Sequence, residues 1–501
     1  MEKNTMKMHV SKLLPYATPR FSEYSNSFIP REVVIPIMQT HDAVECSVAV
    51  GDRVQEGQVI ASGKGLLGPV VHSPVPGTVV GINNKLMPNG RRGKSITIRF
   101  QGEFSLFGKS LAKNDWEVMT PAALIRLISD NGIINTFHKP AVLSCQLEKF
   151  SRSDSRNNSP KTLVVRCSDE DPGCTLDLFL FEQKMPEILE GIDVLAKAAQ
   201  ATRVIVLIPK RFKPSGDLSS TPIKELVKKS FFKEASPKVA SKMEGPTEQG
   251  EISSLEETLE QGVHVAEIAV EELPVSSMEY NSENQTKESV LKQFVIFDDT
   301  VYPSGGKRDI INLVKKKKNI QPSLQGDELF VDASTAFAVY EGVVYNKPFV
   351  DKYIQVSGRA LAGQGIIKVR LGTPLRYLAA ELGGVTRPLK KILINGVLRG
   401  TNVLDWDIPV TKYVKSVIFS AENEYFSSSL EECVQCGRCR TVCPVGLYPD
   451  LLYKKYSQNL DLDPVYIETA SMCTGCALCN AVCSSRLPLH QCINFLTRNK
   501  L

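Results

Sequence analysis

The chain has 501 residues, of which 42% are hydrophobic and 23% are charged, and its formal net charge is +5. This length exceeds what one hydrophobic core supports, so the sequence predicts several domains. The small net charge does not indicate a nucleic-acid partner, and no stretch approaches the ~20 apolar residues of a membrane-spanning helix. The 13 cysteines occur without an apolar export signal at the N-terminus, which favours a reducing cytoplasm and metal-bound thiolates over disulfides.

Residues 29–100 alternate short β-rich runs with turns, and residues 1–28 before them are predicted to be an N-terminal tail. Two half-repeats, residues 48–60 and 72–82, each consist of a strand, a Gly/Pro turn and a strand, as a small barrel-sandwich requires. The pattern resembles lipoyl and biotinyl carrier domains, which modify a lysine at a hairpin tip. Lys64 is the only lysine between the half-repeats and lacks the usual flanking residues, so we expect a structural or docking role.

The next predicted domain, residues 101–340, alternates helical and strand patterns. Its clearest elements are a helix at 121–129, a strand at 162–166, a helix at 185–200 and a strand at 202–209. This alternation favours a Rossmann-like, doubly wound α/β layer. Residues 214–293 are rich in Ser, Glu, Lys and Pro with few aromatics, so we expect a disordered insertion. The sheet is expected to resume at Phe294.

Two further domains are predicted at residues 341–419 and 420–501. The first has strands at 351–358 and 365–371, a helix at 374–382 and a strand at 391–395. The order strand, strand, helix, strand favours a β-grasp domain. The second is a short helical domain organised around cysteines. The predicted fold class is therefore a multidomain α/β and β protein with a barrel-sandwich, a Rossmann-like α/β layer, a β-grasp domain and a two-cluster ferredoxin-like domain.

Eight of the cysteines form two runs with the spacing C-x2-C-x2-C-x3-C. The first run comprises Cys433, Cys436, Cys439 and Cys443, and the second comprises Cys473, Cys476, Cys479 and Cys483. Bacterial ferredoxins with two [4Fe–4S] clusters have this spacing, and the fourth cysteine of each run ligates the other cluster. The spacing therefore predicts crossed ligand sets. They are Cys433, Cys436, Cys439 and Cys483 for the first cluster, and Cys473, Cys476, Cys479 and Cys443 for the second.

A zinc site is the alternative interpretation of these runs. Structural zinc sites typically use two C-x2-C pairs separated by a longer loop, and three cysteines within seven residues suit that arrangement poorly. We therefore expect iron–sulfur clusters. Pro444 follows the first run, whereas Ser484 takes that place in the second; proline supplies no ligand, so we expect both clusters to be retained. The cysteines predicted to be unligated are Cys46, Cys145, Cys167, Cys174 and Cys492.

The order of the predicted domains resembles the C subunit of the Rnf ion-translocating oxidoreductase complex over nearly the whole chain outside the insertion. The matching segments are residues 35–39, 51–58, 74–78, 302–306, 372–374 and 409–412. The middle of the chain also resembles the flavoprotein subunit of respiratory complex I. The resemblance implies an oxidoreductase and translocase subunit that is peripheral to the cytoplasmic face of the inner membrane. It implies attachment through the other membrane subunits of an Rnf-type complex and coupling to Na⁺ or H⁺ export.

The sequence departs from this family at the flavin-binding loop. The family holds the flavin phosphate on a glycine-rich GGAGFP-type loop, whose backbone amides approach the phosphate closely. The corresponding residues 131–140 contain Gly132 as their only glycine, followed by bulky side chains such as Ile134 and Thr136. These side chains would block close approach of a phosphate. We therefore do not expect bound FMN.

An acidic loop of the family is kept, but its neighbouring asparagine is not. The acids are Asp169, Glu170 and Asp171, and Arg166 replaces the asparagine. Together with Gly132, these three acids are the candidate residues for binding a flavin or nucleotide. No residue is assigned a catalytic role, and we do not expect this subunit to oxidise NADH itself.

The resulting hypothesis is an iron–sulfur relay that accepts electrons from a soluble carrier, ferredoxin or flavodoxin, rather than from NADH. Basic residues near the cysteine runs would attract an acidic carrier; they include Arg438, Arg440, Lys454 and Lys455. Three alternatives stay open: an FMN-dependent NADH dehydrogenase subunit with a divergent loop, a cobalamin reductase, and a non-enzymatic docking scaffold stabilised by its clusters. No nucleic-acid partner is expected.

Overall fold

The structure is a computed structural model. It describes residues 7–14, 18–40, 42–153, 160–212, 290–317, 320, 324–421, 430–458 and 464–498. The predicted disordered insertion, residues 214–293, lies outside the described residues except for its last four positions. Three of those positions belong to a strand that begins at Leu291. The sheet therefore resumes at Leu291 and not at Phe294.

Three short elements precede the barrel-sandwich: β1 (Met8–His9), α1 (Val10–Leu13) and β2 (Tyr24–Asn26). Met8 pairs with Tyr302 in an antiparallel ladder, and β2 pairs in parallel with residues 366–368. These elements lie in the segment predicted to be an N-terminal tail, and their pairing joins that segment to distant strands. Apolar side chains on β1 and α1 pack in one cluster with Tyr302, and this long-range contact has no signature in the local sequence.

Seven strands form the barrel-sandwich: β3 (Glu32–Pro36), β4 (Val44–Cys46), β5 (Arg53–Val54), β6 (Val59–Gly63), β7 (Val70–His72), β8 (Gly77–Leu86) and β9 (Arg92–Phe100). They make two antiparallel sheets with the orders β3-β9-β8-β5 and β4-β6-β7. Alternate residues of β3 and β9 point inward, so Val33, Ile35, Ile96 and Ile98 are buried in one core. Lys64 is exposed and ion-paired with Glu45.

An α/β layer follows. Its elements are α2 (Pro121–Asp130), β10 (Ile134–Asn135), β11 (Ala141–Val142), α3 (Leu143–Arg152), β12 (Thr162–Arg166), α4 (Leu176–Gln183), α5 (Met185–Ala199), β13 (Arg203–Pro209), β14 (Leu291–Phe297), β15 (Val301–Tyr302), α6 (Lys307–Lys315), β16 (Leu329–Asp332) and α7 (Ala333–Val344). Strands β14-β13-β12-β16 form a parallel sheet in that order. Helices α5 and α7 pack closely at Gly191. A Cβ there would lie 2.1 Å from the Ala336 carbonyl oxygen, so the contact requires glycine.

A six-stranded mixed sheet comes next, with elements β17 (Asp351–Ser357), β18 (Gly365–Arg370), α8 (Leu375–Glu381), β19 (Leu389–Ile394), β20 (Thr401–Val403) and β21 (Ser416–Ala421). The strand order is β2-β18-β17-β21-β19-β20, so β2 from the N-terminal region forms one edge. Leu375 and Leu378 on α8 are buried in the core of this sheet.

The cysteine-rich part is helical: α9 (Arg438–Thr441), α10 (Pro449–Ser457), α11 (Pro464–Ser471), α12 (Leu478–Ala481) and α13 (Leu489–Arg498). Helix α9 packs against α12, and α10 packs against α13. Leu452, Ala470 and Ile493 bury the contact between α10, α11 and α13. Among the described residues no helix is both long and apolar enough to cross a lipid bilayer.

Candidate iron–sulfur site

The two cysteine runs have the same backbone conformation. Each cysteine of the first run is repeated 40 positions later in the second, and each run contains a four-residue helix that includes its third cysteine. Within the loops, Gln435 and Gly437 have positive φ, as do Gly475 and Ala477 at the equivalent positions. This left-handed conformation costs a non-glycine residue about 1 kcal/mol. Its recurrence in both loops, with glycine at one position of each, indicates that the loop shape is required.

The predicted ligands of the first cluster line one cavity. Cys433, Cys436 and Cys439 from the first run face Cys483 from the second. Leu487 and Leu489 complete an apolar wall, and Asp450 is a further lining residue. The four cysteines therefore share one cavity, as the ligands of one four-iron cluster must. In the described part of the chain, no three His, Cys, Asp or Glu side chains converge closely enough to hold a single metal ion.

The predicted ligands of the second cluster are also neighbours. Burial raises the pKa of the Cys473 thiol, and the nearby Cys443 raises it further. Burial likewise raises the pKa of Cys479 well above its usual range, with contributions from Cys476, Cys473 and Cys443. Cys443 of the first run therefore lies within the range of electrostatic interaction with Cys473 and Cys479. Cys439 and Cys479, one from each predicted ligand set, lie in one apolar cluster with Leu487 and Leu489, so the two sites are adjacent.

The loop of the second run is buried against the rest of the protein. Cys476, Ala477 and Leu478 pack in an apolar cluster with residues from four other parts of the chain, namely Leu13, Tyr302, Leu398 and Val442. The Tyr302 hydroxyl donates a hydrogen bond to the Cys476 carbonyl oxygen at 2.7 Å. Arg399 donates to the Thr474 carbonyl oxygen at 3.1 Å.

The loop of the first run is exposed by contrast. Cys433 and Cys436 are solvent-exposed, as are Leu430 and Val434 beside them. Two of the four basic residues expected to attract a carrier already have partners. Arg440 forms a bidentate ion pair with Asp450, and Lys455 lies over the Tyr466 ring. Arg438 and Lys454 are exposed.

Gly132, the first of the candidate flavin-binding residues, is a packing residue in this structure. Its φ is +66°, and a Cβ there would lie 2.5 Å from the Val70 carbonyl oxygen and 2.8 Å from Lys412 Nζ. Lys412 Nζ donates to the Gly132 carbonyl oxygen at 2.7 Å. Because Gly132 has no side chain, β7 and Lys412 can lie against its backbone. These contacts differ from those of a loop that holds a phosphate.

The acidic loop serves two structural contacts. Asp171 accepts hydrogen bonds from the backbone N–H groups of Gly173, Val397, Leu398 and Arg399, and so holds the turn that carries Arg399. Glu170 accepts from the Arg399 guanidinium at 2.7 Å and lies 3.0 Å from His138 Nδ1. Burial would raise the pKa of Glu170, but the charge of Arg399 and the contact with His138 outweigh it and lower the pKa to about 2.

Asp169 belongs to a buried charge cluster. One of its carboxylate oxygens accepts the Asp177 backbone N–H at 2.8 Å, and the other has no hydrogen-bond partner among the described residues. Lys415 Nζ lies 2.6 Å from carboxylate oxygens of both Asp177 and Asp332. Burial, reinforced by the Asp177 charge, raises the pKa of Asp169 to about 7.

Arg166 is a site residue whose role the sequence did not indicate. It is 1% exposed and donates hydrogen bonds to three backbone carbonyl oxygens: Ser168 at 2.7 Å, Gly305 at 2.5 Å and Phe137 at 3.0 Å. Its guanidinium also lies over the Phe137 ring, 4.3 Å from the centroid. The side chain that replaces the family's asparagine therefore fills the space beside residues 131–140. Arg399 and Tyr302 were also missed, because their contacts with the cysteine loop are remote in sequence.

Two family models match parts of the chain. Residues 426–484 match the 4Fe-4S dicluster domain, which defines the class of this region as an iron–sulfur domain. Residues 20–103 match the RnfC barrel sandwich hybrid domain. The barrel-sandwich and the ferredoxin-like part of the predicted fold class are thereby confirmed.

The chain is similar to curated proteins that are named as the C subunit of an ion-translocating oxidoreductase complex. It is 24% identical to that of Klebsiella pneumoniae (strain 342) over 431 residues, which are 85% of this chain and 48% of the relative. For Rhodobacter capsulatus the identity is 23% over 427 residues, 84% of this chain and 69% of the relative. The chain thus spans about half the length of the Klebsiella relative. The resemblance predicted from the sequence is confirmed.

Among solved structures, an air-oxidised NAD⁺-reducing [NiFe]-hydrogenase is similar with a TM-score of 0.42 and 13% identity, covering 74% of this chain and 61% of that one. The H2-reduced form gives a TM-score of 0.43 and 14% identity, with 77% and 65% coverage. A likeness at this level says nothing about function.

Proposed function

We propose that this chain is an iron–sulfur electron relay with two [4Fe–4S] clusters, held by the crossed ligand sets predicted from the sequence. The cavity lined by Cys433, Cys436, Cys439 and Cys483 carries the proposal, because Cys483 comes from a different run than the other three. When bound, each cluster supplies one-electron transfer. The adjacency of Cys439 and Cys479 supports transfer between the two sites.

The protein's own residues supply the surroundings of the clusters. Leu487 and Leu489 limit water between the two sites. Tyr302 and Arg399 hold the backbone of the second loop. The first loop remains open to solvent, so a redox partner can approach it.

The curated relatives are named as parts of an ion-translocating oxidoreductase complex. We infer a corresponding place for this chain, as a peripheral subunit held through partner subunits at the cytoplasmic face of the membrane. Its electron transfer would be coupled to translocation of Na⁺ or H⁺. The finer domain assignment belongs to the same proposal. It comprises a Rossmann-like domain at residues 101–340, a β-grasp domain at 341–419 and a ferredoxin-like domain at 420–501.

The electron donor in this proposal is a one-electron protein carrier, ferredoxin or flavodoxin. NADH gives up two electrons together as a hydride, so a flavin is needed to divide them between one-electron clusters. The contacts of residues 131–140 oppose flavin binding. Lys412 and the Arg166 guanidinium donate to carbonyl oxygens of this loop, and the backbone N–H groups that a phosphate would need already donate within the protein, those of Gly132 and Ile133 to carbonyl oxygens and that of Thr136 to the Thr335 hydroxyl. The alternative is an FMN-dependent NADH dehydrogenase, and an experiment must distinguish it from a relay that a protein carrier reduces.

Anaerobic reconstitution of the full chain tests the proposal. We expect about eight iron and eight sulfide per chain, as two four-iron clusters imply, with no stoichiometric FMN. Reduced ferredoxin or flavodoxin should bleach the cluster absorbance quickly, and NADH should not. Bound FMN with fast bleaching by NADH would establish the dehydrogenase, whereas clusters that no carrier reduces would indicate a scaffold.

Matched cysteine variants test the crossed ligand sets. Cys436→Ser should remove the first cluster and leave the second, whereas Cys443→Ser should remove the second although Cys443 lies in the first run. Cys46→Ser, outside both runs, is the control and should keep both clusters. If Cys443→Ser lost the first cluster and kept the second, the crossed assignment would be wrong.

A further inference from the structure

The two cysteine loops share a backbone conformation but have opposite charges beside them. A carboxylate, Asp450, lines the cavity of the first thiol set. A guanidinium, Arg399, contacts the loop of the second run. These charges, together with the different exposure of the two loops, distinguish the two sites.

Beside the first site, the carboxylate is the inner member of its ion pair. Asp450 is buried, with a side chain 9% exposed, whereas its partner Arg440 is 41% exposed. Water screens the outer charge more than the inner one. The Asp450 carboxylate therefore contributes more to the electrostatic potential at the first site than Arg440 does, and the net effect of the pair is negative.

Beside the second site, different residues stand at the equivalent positions. Positions 480 and 490, 40 residues after Arg440 and Asp450, hold Asn480 and His490. The Asn480 side-chain oxygen accepts the His490 backbone N–H at 2.8 Å. The carboxylate of the first half is thus replaced by an imidazole in the second half.

Arg399 brings a positive charge to the second site from another part of the fold. Its side chain is 12% exposed, and its Nη2 atom lies 2.7 Å from a carboxylate oxygen of Glu170. The same Nη2 atom donates to the Thr474 carbonyl oxygen, between Cys473 and Cys476, at 3.1 Å. The guanidinium therefore contacts the loop of the second thiol set directly, whereas Glu170 acts on that loop through Arg399.

We propose that these charges make the second cluster the more easily reduced of the two, so that electrons enter at the exposed first cluster and pass inward to the second. Reduction adds one negative charge to a cluster; a nearby guanidinium stabilises the reduced form and a nearby carboxylate destabilises it. Arg399 then tunes the second cluster without contacting the electron donor. This inference rests on the proposed function, because it presupposes two bound clusters.

Redox titration of the reconstituted full chain, followed by electron paramagnetic resonance, tests the inference. Cys436→Ser, which retains only the second cluster, assigns the signals. Arg399→Met should lower the potential of the second cluster and Glu170→Gln should raise it. Each should change the oxidised-to-reduced ratio at fixed potential at least tenfold, about 59 mV for a one-electron couple. Arg399→Lys should restore most of the shift.

The opposite signs separate tuning from a merely structural role. Arg99→Met, which breaks an exposed pair with Glu32 on the barrel-sandwich, is the matched control and should shift neither potential. Unchanged potentials in both Arg399→Met and Glu170→Gln, shifts of the same sign, or loss of the second cluster in both variants would overturn the inference. Failure of the wild-type chain to bind clusters would instead overturn the proposed function.

Discussion

Replacement of Arg166 by methionine is expected to destabilise the α/β layer strongly. Methionine keeps much of the apolar volume of the side chain but removes every donor. Three buried carbonyl oxygens, on Phe137, Ser168 and Gly305, then lose their hydrogen bonds. Each buried acceptor left unsatisfied costs ~1–3 kcal/mol, so the geometry predicts a loss of roughly 3–9 kcal/mol, with the lower end applying if water reaches the loops.

The charge of Arg166 acts in the same direction. Burial raises the pKa of Asp332, but Lys415 and, after it, Arg166 lower the pKa, so Arg166 stabilises a buried carboxylate. Removing it leaves Lys415 as the main cation beside Asp177 and Asp332. Breaking a buried charge cluster by removing one member typically costs about 3–5 kcal/mol, which lies within the range expected from the hydrogen bonds, so we take about 4 kcal/mol as the expected loss.

Urea unfolding followed by circular dichroism measures this change. With an m-value of ~2–3 kcal/mol per molar, a loss of about 4 kcal/mol moves the midpoint by more than ~1 M. Arg376→Met is the control, since Arg376 forms an exposed ion pair with Asp407 and such pairs contribute at most ~1 kcal/mol. Equal midpoints for Arg166→Met and the wild type would refute the reasoning. The guanidinium would then be dispensable, and a ligand could displace it.

Two other predictions concern the cysteine loops and the acidic loop. In the cluster-free chain, iodoacetamide should modify the exposed Cys433 and Cys436 faster than the buried Cys476 and Cys479; equal rates in peptide mass mapping would contradict the asymmetry. Because the pKa of Asp169 is raised to about 7, the native state keeps a proton that the unfolded state releases near pH 4, so stability falls as pH rises through this window. This fall in the free energy of unfolding is at most ~4 kcal/mol, and Asp169→Asn should remove it. If the urea midpoints of Asp169→Asn showed the same dependence on pH as those of the wild type, the prediction would be excluded.

Elements with strong local patterns were predicted closely from the sequence. The helix expected at 121–129 is observed at Pro121–Asp130, where Pro121 at the first turn and the Thr120 cap mark its start. The strand expected at 162–166 is Thr162–Arg166. In both cases the hydrophobic period and the end signals agree, so the local sequence is sufficient.

Contacts between distant segments were not predictable in this way. The tail expected at residues 1–28 supplies β2 to the edge of a sheet formed more than 300 residues later. Arg166 was noted only as a replaced asparagine, although its side chain joins three segments of the α/β layer. Their partners are set by the tertiary fold, which a single sequence does not display.

The retained acidic loop shows why a motif needs its contacts before it is assigned a function. In the sequence, Asp169, Glu170 and Asp171 were candidates for a flavin or nucleotide site only because a family with such a site has a similar acidic loop. In the structure, Asp171 instead holds the turn at residues 396–399 through backbone N–H groups, and Glu170 holds the Arg399 guanidinium. Arg399 in turn contacts the second cysteine loop. Placement of the cysteine-rich part is therefore sufficient to explain Glu170 and Asp171, and their presence gives no separate support to flavin binding.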